Sequence, residues 1–370
     1  MVQKVHSAVR LPSLDGWRAL AVGMVMLSHF AYSRGAPPLA KLANAFDGGD
    51  LGVRVFFVIS GLLITYLLLA EADRGEPSLA SFYTRRVLRI FPVYFLYVAV
   101  VALLAASGWY SEARSSWIGT LTFTRDVVGR GDSVTVHYWS LAVEEQFYLL
   151  WPSVLVALGL WRRPRTAVVL LLVPLAVCPF VRAGIVQAHW PNPWIIRALG
   201  PFSIAQYADS LAIGCLGAFV QHTYSDRVAR FASGGVLAFA LTVFVAGALS
   251  ETDVHGVWLT LIPPVEGIAV VCAIWVTINR RHGAVYRLLN TRTVAWIGTL
   301  SYSLYVWQQL FLSHFAGPRL STLPVYDWRV WWLAALVVAS MSYYLIERPV
   351  LRVRDRLRAQ LLPTAARAAC

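Results

Sequence analysis

The sequence predicts an all-α integral membrane protein of about ten transmembrane helices with both termini cytoplasmic, on three observations. The 370-residue chain is 58% hydrophobic and only 14% charged, with a mean hydropathy of +0.60, a balance foreign to soluble domains. Apolar windows long enough to cross the hydrocarbon, which takes about 20 helical residues, recur ten times. Lysine and arginine are divided unevenly between alternate connecting segments, which sets the orientation.

The windows run 17–33, 50–70, 90–108, 138–160 and 166–181, then 202–220, 232–250, 257–278, 294–315 and 329–346. An even number of crossings puts both termini on one side. With the amino terminus cytoplasmic, the cytoplasmic segments hold 21 of the 32 Lys and Arg, the outer segments hold 9, and Arg18 and Arg54 lie inside spans. The net charge of +13 is therefore mainly a topology signal, spread over short loops. It forms no nucleic-acid patch, and the expected surroundings are a lipid bilayer.

The first window contains His29 and lacks a small-residue cleavage site, so it reads as a retained span and not as a secretory signal. Cys178, Cys215, Cys272 and Cys370 show no paired or metal-ligand spacing, so neither a disulfide nor a metal is expected. Residues 1–350 read as one membrane domain. Residues 351–370 read as a basic cytoplasmic tail, in which Arg alternates with Val and Leu as in a short amphipathic helix at the inner surface. The longest polar interval, 109–137, lies outside.

A charged side chain within a span costs roughly 2.5 to 3.5 kcal/mol on insertion scales, so each one needs a reason. In span one, "LDGWRALAVGMVMLSHF", Arg18 and His29 are eleven residues apart. On a helix that is nearly three turns, one face at two depths about 16 Å apart. Arg18 either snorkels to the inner headgroups or serves a site. His29 is either a neutral ring satisfied by a neighbouring helix or a proton-transfer group, which suits a side chain that titrates near neutrality. Asp15 could pair with Arg18 or cap the helix.

Span two, "FFVISGLLIT", brings Ser60 and Gly61, which serve either helix packing or chemistry. Span three opens with "FYTRRVLRIFP". Arg86 and Arg89 share a face there and make a two-pronged guanidinium site for phosphates, although topology alone also supplies arginine at such a boundary. Span four, "HYWSLAVEEQFYLLWP", carries Glu144 and Glu145 one to two turns below an interface marked by Tyr138 and Trp139. These are either a catalytic acid, base or histidine orienter, or a pair facing an outer vestibule. Tyr148 shares the face of Glu144. Span nine, "GTLSYSLYVWQQLF", adds Ser301, Tyr302, Ser303, Tyr305, Gln308 and Gln309, of which Ser and Gly more often mediate packing. No phosphate-cradling Gly-rich loop, G-x-S-x-G elbow or H-E-x-x-H occurs, which disfavours ATP-driven transport and zinc hydrolysis.

These stretches, together with "GVRVFFVISGLLIT" and "IERP", occur in the order seen in the acyltransferase-3 family of integral membrane acyltransferases, which the chain resembles from Leu14 to about Pro349. The resemblance implies transfer of an acyl group, usually acetyl from acetyl-CoA, to a hydroxyl of a sugar, glycolipid, surface polysaccharide or secreted glycosylated metabolite. It implies an enzyme of the plasma (inner) membrane, with acyl-CoA and a carbohydrate or glycoconjugate acceptor as partners and no metal. His29 then looks like the catalytic base, Arg18 its companion and Glu144 the carboxylate that raises its basicity or relays its proton. Arg86 and Arg89 look like the acyl-CoA site, with Ser60, Trp139, Tyr148, Ser301, Tyr305 and Gln308 in substrate-contacting or structural support. Two positions depart from the family pattern: Arg54 stands where an acidic residue is common, and Gln308 where a histidine is. No esterase-like domain follows the last span, so a stand-alone form is expected. The competing expectation is a proton-coupled transporter or flippase of a glycolipid or small metabolite, using His29 and Glu144. Such proteins often show inverted repeats, and none is visible here.

Overall fold

The computed structural model describes residues 11–31, 38–45, 47–129, 134–187, 200, 202–250, 257–312 and 328–353. These residues are helical or in turns, without a strand among them. Most of the predicted tail, 354–370, lies outside the described residues.

A long helix lies over each apolar window. They are α1 (Leu14–Phe30), α3 (Gly48–Ala72), α4 (Leu79–Ala106), α6 (Tyr138–Ala157), α7 (Pro164–Gln187), α8 (Ile204–Thr223), α10 (Gly234–Ser250), α11 (Val257–Asn279), α13 (Arg292–Leu312) and α14 (Trp328–Ser342), with shorter helices α2 (Pro38–Ala45), α5 (Arg114–Leu121), α9 (Ser225–Phe231) and α12 (Ala284–Leu289) between them. Among the described residues five helices are long and apolar enough to cross a membrane alone, or six when the bent pair α9 and α10 is taken as one. An all-helical membrane protein follows. Arg18, Glu144, Asp209 and Gln308 lie on α1, α6, α8 and α13.

Small residues let the central helices approach closely, as membrane packing requires. A Cβ on Gly61 of α3 would collide with the Leu211 carbonyl of α8, and one on Gly214 of α8 with the Val58 carbonyl of α3. The two glycines thus interlock. On the other flank of α3, Gly52 admits the Ala21 carbonyl of α1. Gly298 of α13 rests against the Asp15 carbonyl, and so α1 is clasped between α3 and α13. Replacing Gly214 with Leu is expected to force α3 and α8 apart at a cost of about 1–3 kcal/mol or more. Thermal unfolding in detergent, followed by tryptophan fluorescence, should show a clear drop in midpoint; an unchanged midpoint would contradict the interlock.

The described residues of the polar interval, 109–129 and 134–137, pack partly back onto the helices. After α4 the chain turns back along it through α5, and the reversal at Phe123, a non-glycine residue with φ 55°, stacks on Phe91 and Tyr94 at 5.5 and 4.6 Å. Tyr94 and Phe91 lie 12 and 15 residues before the end of α4, so this tip reaches roughly 20 Å down the helix. Arg125 and Asp126 are buried with it. Gln146 of α6 donates to Asp126 at 3.0 Å, and the Tyr94 hydroxyl donates to the Thr120 carbonyl at 2.7 Å. Near its end α14 widens into a π turn, Tyr343–Glu347, which brings Glu347 to the Ser303 hydroxyl at 2.9 Å.

Candidate active site

The polar residues picked out in the spans separate into three groups. The first surrounds a partly open cavity between α1, α3, α4, α6 and α13, whose walls include Arg18, Ser60, Arg86, Arg89, Glu144, Glu145, Tyr148, Ser301 and Tyr305. Sequence reasoning named all of these, and the fold brings them together from five helices. The remaining wall is largely apolar, with Val53, Phe56, Phe57, Ile64 and Ile90. Ligand sites commonly have this build of an apolar channel with few convergent polar groups.

Within the cavity the cations and anions are not joined in close ion pairs. Arg18, Arg86 and Arg89 form no ion pair within 4 Å among the described residues. Arg86 instead places its guanidinium over the Tyr148 ring at 4.8 Å and near Phe82 at 5.6 Å. Stacking fixes the plane of the guanidinium while leaving its N–H groups for a ligand. Three guanidiniums with no ion pair within 4 Å among the described residues form a site that suits an anionic ligand. Across the cavity the Ser60 and Tyr148 hydroxyls both donate to Glu144 Oε1, and Tyr148 and Ser60 are 3.2 Å apart. Ser301 lines the wall fully buried, with no partner for its hydroxyl among the described residues.

The second group is built around His29. It does not line the cavity; the eleven-residue separation from Arg18 places it about 16 Å further along α1. Its Nδ1 lies 2.8 Å from Gln308 Oε1. An amide oxygen can only accept, so Nδ1 carries the proton and Nε2 keeps the lone pair. Gln308 thus orients the ring, a role that the sequence reading assigned to Glu144. Glu144 is occupied with Ser60 and Tyr148 and has no hydrogen bond to His29 among the described contacts. Gln308 follows Tyr305 by three residues, so the His29–Gln308 pair stands about one turn, ~5 Å, beyond the end of the cavity where Tyr305 lies. Tyr305 bonds with Ser140 and donates to the His137 carbonyl at 3.2 Å. His137, which sequence reasoning passed over, is buried, its Nε2 3.1 Å from the Val306 carbonyl; Nδ1 has no partner among the described residues. Only a histidine leading the "HYWSL" stretch could have signalled it.

Trp139 and Tyr138 correct the sequence reading. Expected at an interface, they are buried in the protein, Tyr138 against Tyr94 and Tyr97, and Trp139 against Phe57, Phe202 and Tyr207. Trp139 does not line the cavity and supports it from behind.

The third group accounts for the unusual Arg54. It is paired with Asp50 at 2.5 Å and Glu266 at 2.9 Å, and Tyr207 donates to Asp50 at 2.5 Å. Nearby, Arg182 bridges Asp209 at 2.5 Å and the Gln206 carbonyl at 2.6 Å. These are charges satisfied by one another on α3, α7, α8 and α11, away from the cavity.

Among characterised proteins the chain is similar to the peptidoglycan O-acetyltransferase OatA of Listeria monocytogenes, 27% identical over 377 residues that cover 93% of this chain and 56% of that protein. It is also similar to the O-acetyltransferase OatA of Staphylococcus aureus, 26% identical over 378 residues, covering 94% of this chain and 58% of the relative. The chain thus spans little more than half the length of these relatives. No solved structure matches it significantly. The profile of the acyltransferase domain matches residues 11–348, a stretch that holds the arginine-lined cavity and the histidine beyond it, and the chain belongs to the acyltransferase-3 family.

Proposed function

We propose that the protein is a membrane O-acyltransferase that moves an acyl group, acetyl in the first instance, from acyl-CoA to a hydroxyl of a carbohydrate at the outer face of the plasma membrane. The single observation that carries this reading is the alignment of an arginine cluster without close ion pairs, an apolar channel and a histidine whose Nε2 has no hydrogen bond among the described residues. Arg86 and Arg89, with Arg18 beside them, would hold the phosphates of the donor. The thin pantetheine arm would lie along the cavity, past Ser60 and Glu144. His29, held by Gln308, would take the proton from the acceptor hydroxyl as it attacks. With ten crossings and both termini cytoplasmic, as the sequence leads one to expect, the arginines would lie towards the donor side and His29 towards the acceptor side.

The acceptors of the relatives point to peptidoglycan or another envelope glycan. Cells expressing the protein are expected to carry an acyl-sized mass increment, 42 Da for acetyl, on one class of envelope glycan, glycolipid or secreted glycosylated metabolite. Mass spectrometry of all three fractions against cells without the protein would identify the acceptor. No increment in any fraction, with the protein present in the membrane, would defeat the reading. A species that only changes sides of the membrane would instead indicate a flippase.

A further inference from the structure

Ser60 lies midway along α3, twelve positions from either end, and lines the cavity beside Glu144 and Tyr148. A serine in a helix ordinarily returns its proton to the carbonyl one turn back. Ser60 instead directs its hydroxyl across to Glu144 Oε1 on α6, while Tyr148 donates to the same oxygen and lies 3.2 Å from Ser60 Oγ. A hydroxyl whose proton already points at a carboxylate is the arrangement of an activated nucleophile. Close packing does not explain it, because the contact with α8 is made by Gly61. His29 is elsewhere: Ser28 packs under Gly49, eleven positions or about 16 Å from Ser60 along α3.

We propose that Ser60 is acylated during the reaction and passes the group on, so that transfer proceeds in two steps; the proposal rests on the acyl-CoA reading above. In the first step Glu144 takes the Ser60 proton as Oγ bonds to the thioester carbon. The carbon–sulfur bond breaks and the departing thiolate receives that proton, giving a Ser60 ester and free CoA. In the second step the acceptor hydroxyl attacks the ester, its proton leaves through a base, and Ser60 Oγ departs and is reprotonated. Each half uses one proton and one bond exchange, with no further reactant. A nucleophile at mid-span can be reached by a donor from one side and an acceptor from the other.

The test is incubation of the full-length protein in detergent with radiolabelled acetyl-CoA and no acceptor, followed by tryptic mapping, with transfer measured separately on membranes. Label is expected on the peptide covering 55–74, in a bond that resists neutral hydroxylamine as an oxygen ester does. Ser60→Ala should lose the label and at least about 100-fold of the transfer rate. Ser60→Cys should retain label in a bond that neutral hydroxylamine cleaves, a signature that a merely structural serine would not give. Transfer by Ser60→Ala at the wild-type rate, or label on the peptide covering 19–34 that holds His29, would overturn the proposal. If wild-type membranes acylate the glycan but acetyl-CoA does not support it, the donor reading fails and the serine step falls with it.

Discussion

Replacing His29 with alanine is expected to reduce acyl transfer at least about 100-fold, because a positioned general base contributes roughly 10² to 10⁴. The loss should fall on kcat. His29 stands some 16 Å along α1 from Arg18, so binding of CoA, measured by competition with the labelled donor, should be unchanged. Gln308→Leu gives the comparison that separates orientation from chemistry. It removes the acceptor of the Nδ1 proton without touching Nε2, and loss of such an orienting partner costs about 10- to 100-fold. Retention of more than about a tenth of the wild-type rate by His29→Ala, at equal membrane abundance, would remove His29 from the mechanism.

The second large effect is expected at the other end of the cavity. Arg86→Ala or Arg89→Ala should each raise the KM for acetyl-CoA by roughly 10- to 100-fold, since a charge-assisted contact is worth about 1.5–3 kcal/mol. Neither variant should alter the profile of acceptors that become acylated. Lysine at position 86 should not restore the wild-type KM, because it lacks the planar group that lies over the Tyr148 ring at 4.8 Å. A fall in kcat with KM unmoved would mean that the arginines act on the reacting atoms and not on the phosphates. Measuring initial rates over a range of acetyl-CoA concentrations decides between the two.

Helix positions were legible because hydropathy windows report burial in lipid directly, and Arg18 and His29 do share one helix, α1. The cavity was largely legible as well: Arg86, Arg89, Glu144, Tyr148, Ser60, Ser301 and Tyr305 all stand on it. Partnerships were not. Spacing along one helix says which residues share a face, but the partner of His29 is 279 positions away, and only the crossing of α1 with α13 decides that it is Gln308 and not Glu144. The aromatic girdle rule likewise did not reveal that Tyr138 and Trp139 are buried against other aromatic rings. The reversal at Phe123 rests on a left-handed residue that is not glycine, so composition carried no mark of it.

The compensated Arg54 has a consequence for anyone who would exchange parts between relatives. Where family members commonly carry an acid at this position, an acid here would set three carboxylates, with Asp50 and Glu266, around a site that arginine now neutralises. The substitution is viable only if another member of the trio changes at the same time. Segments of α3 and α11 therefore have to be transplanted as a set, and a consensus sequence averaged position by position would assemble a combination that no single member needs to tolerate.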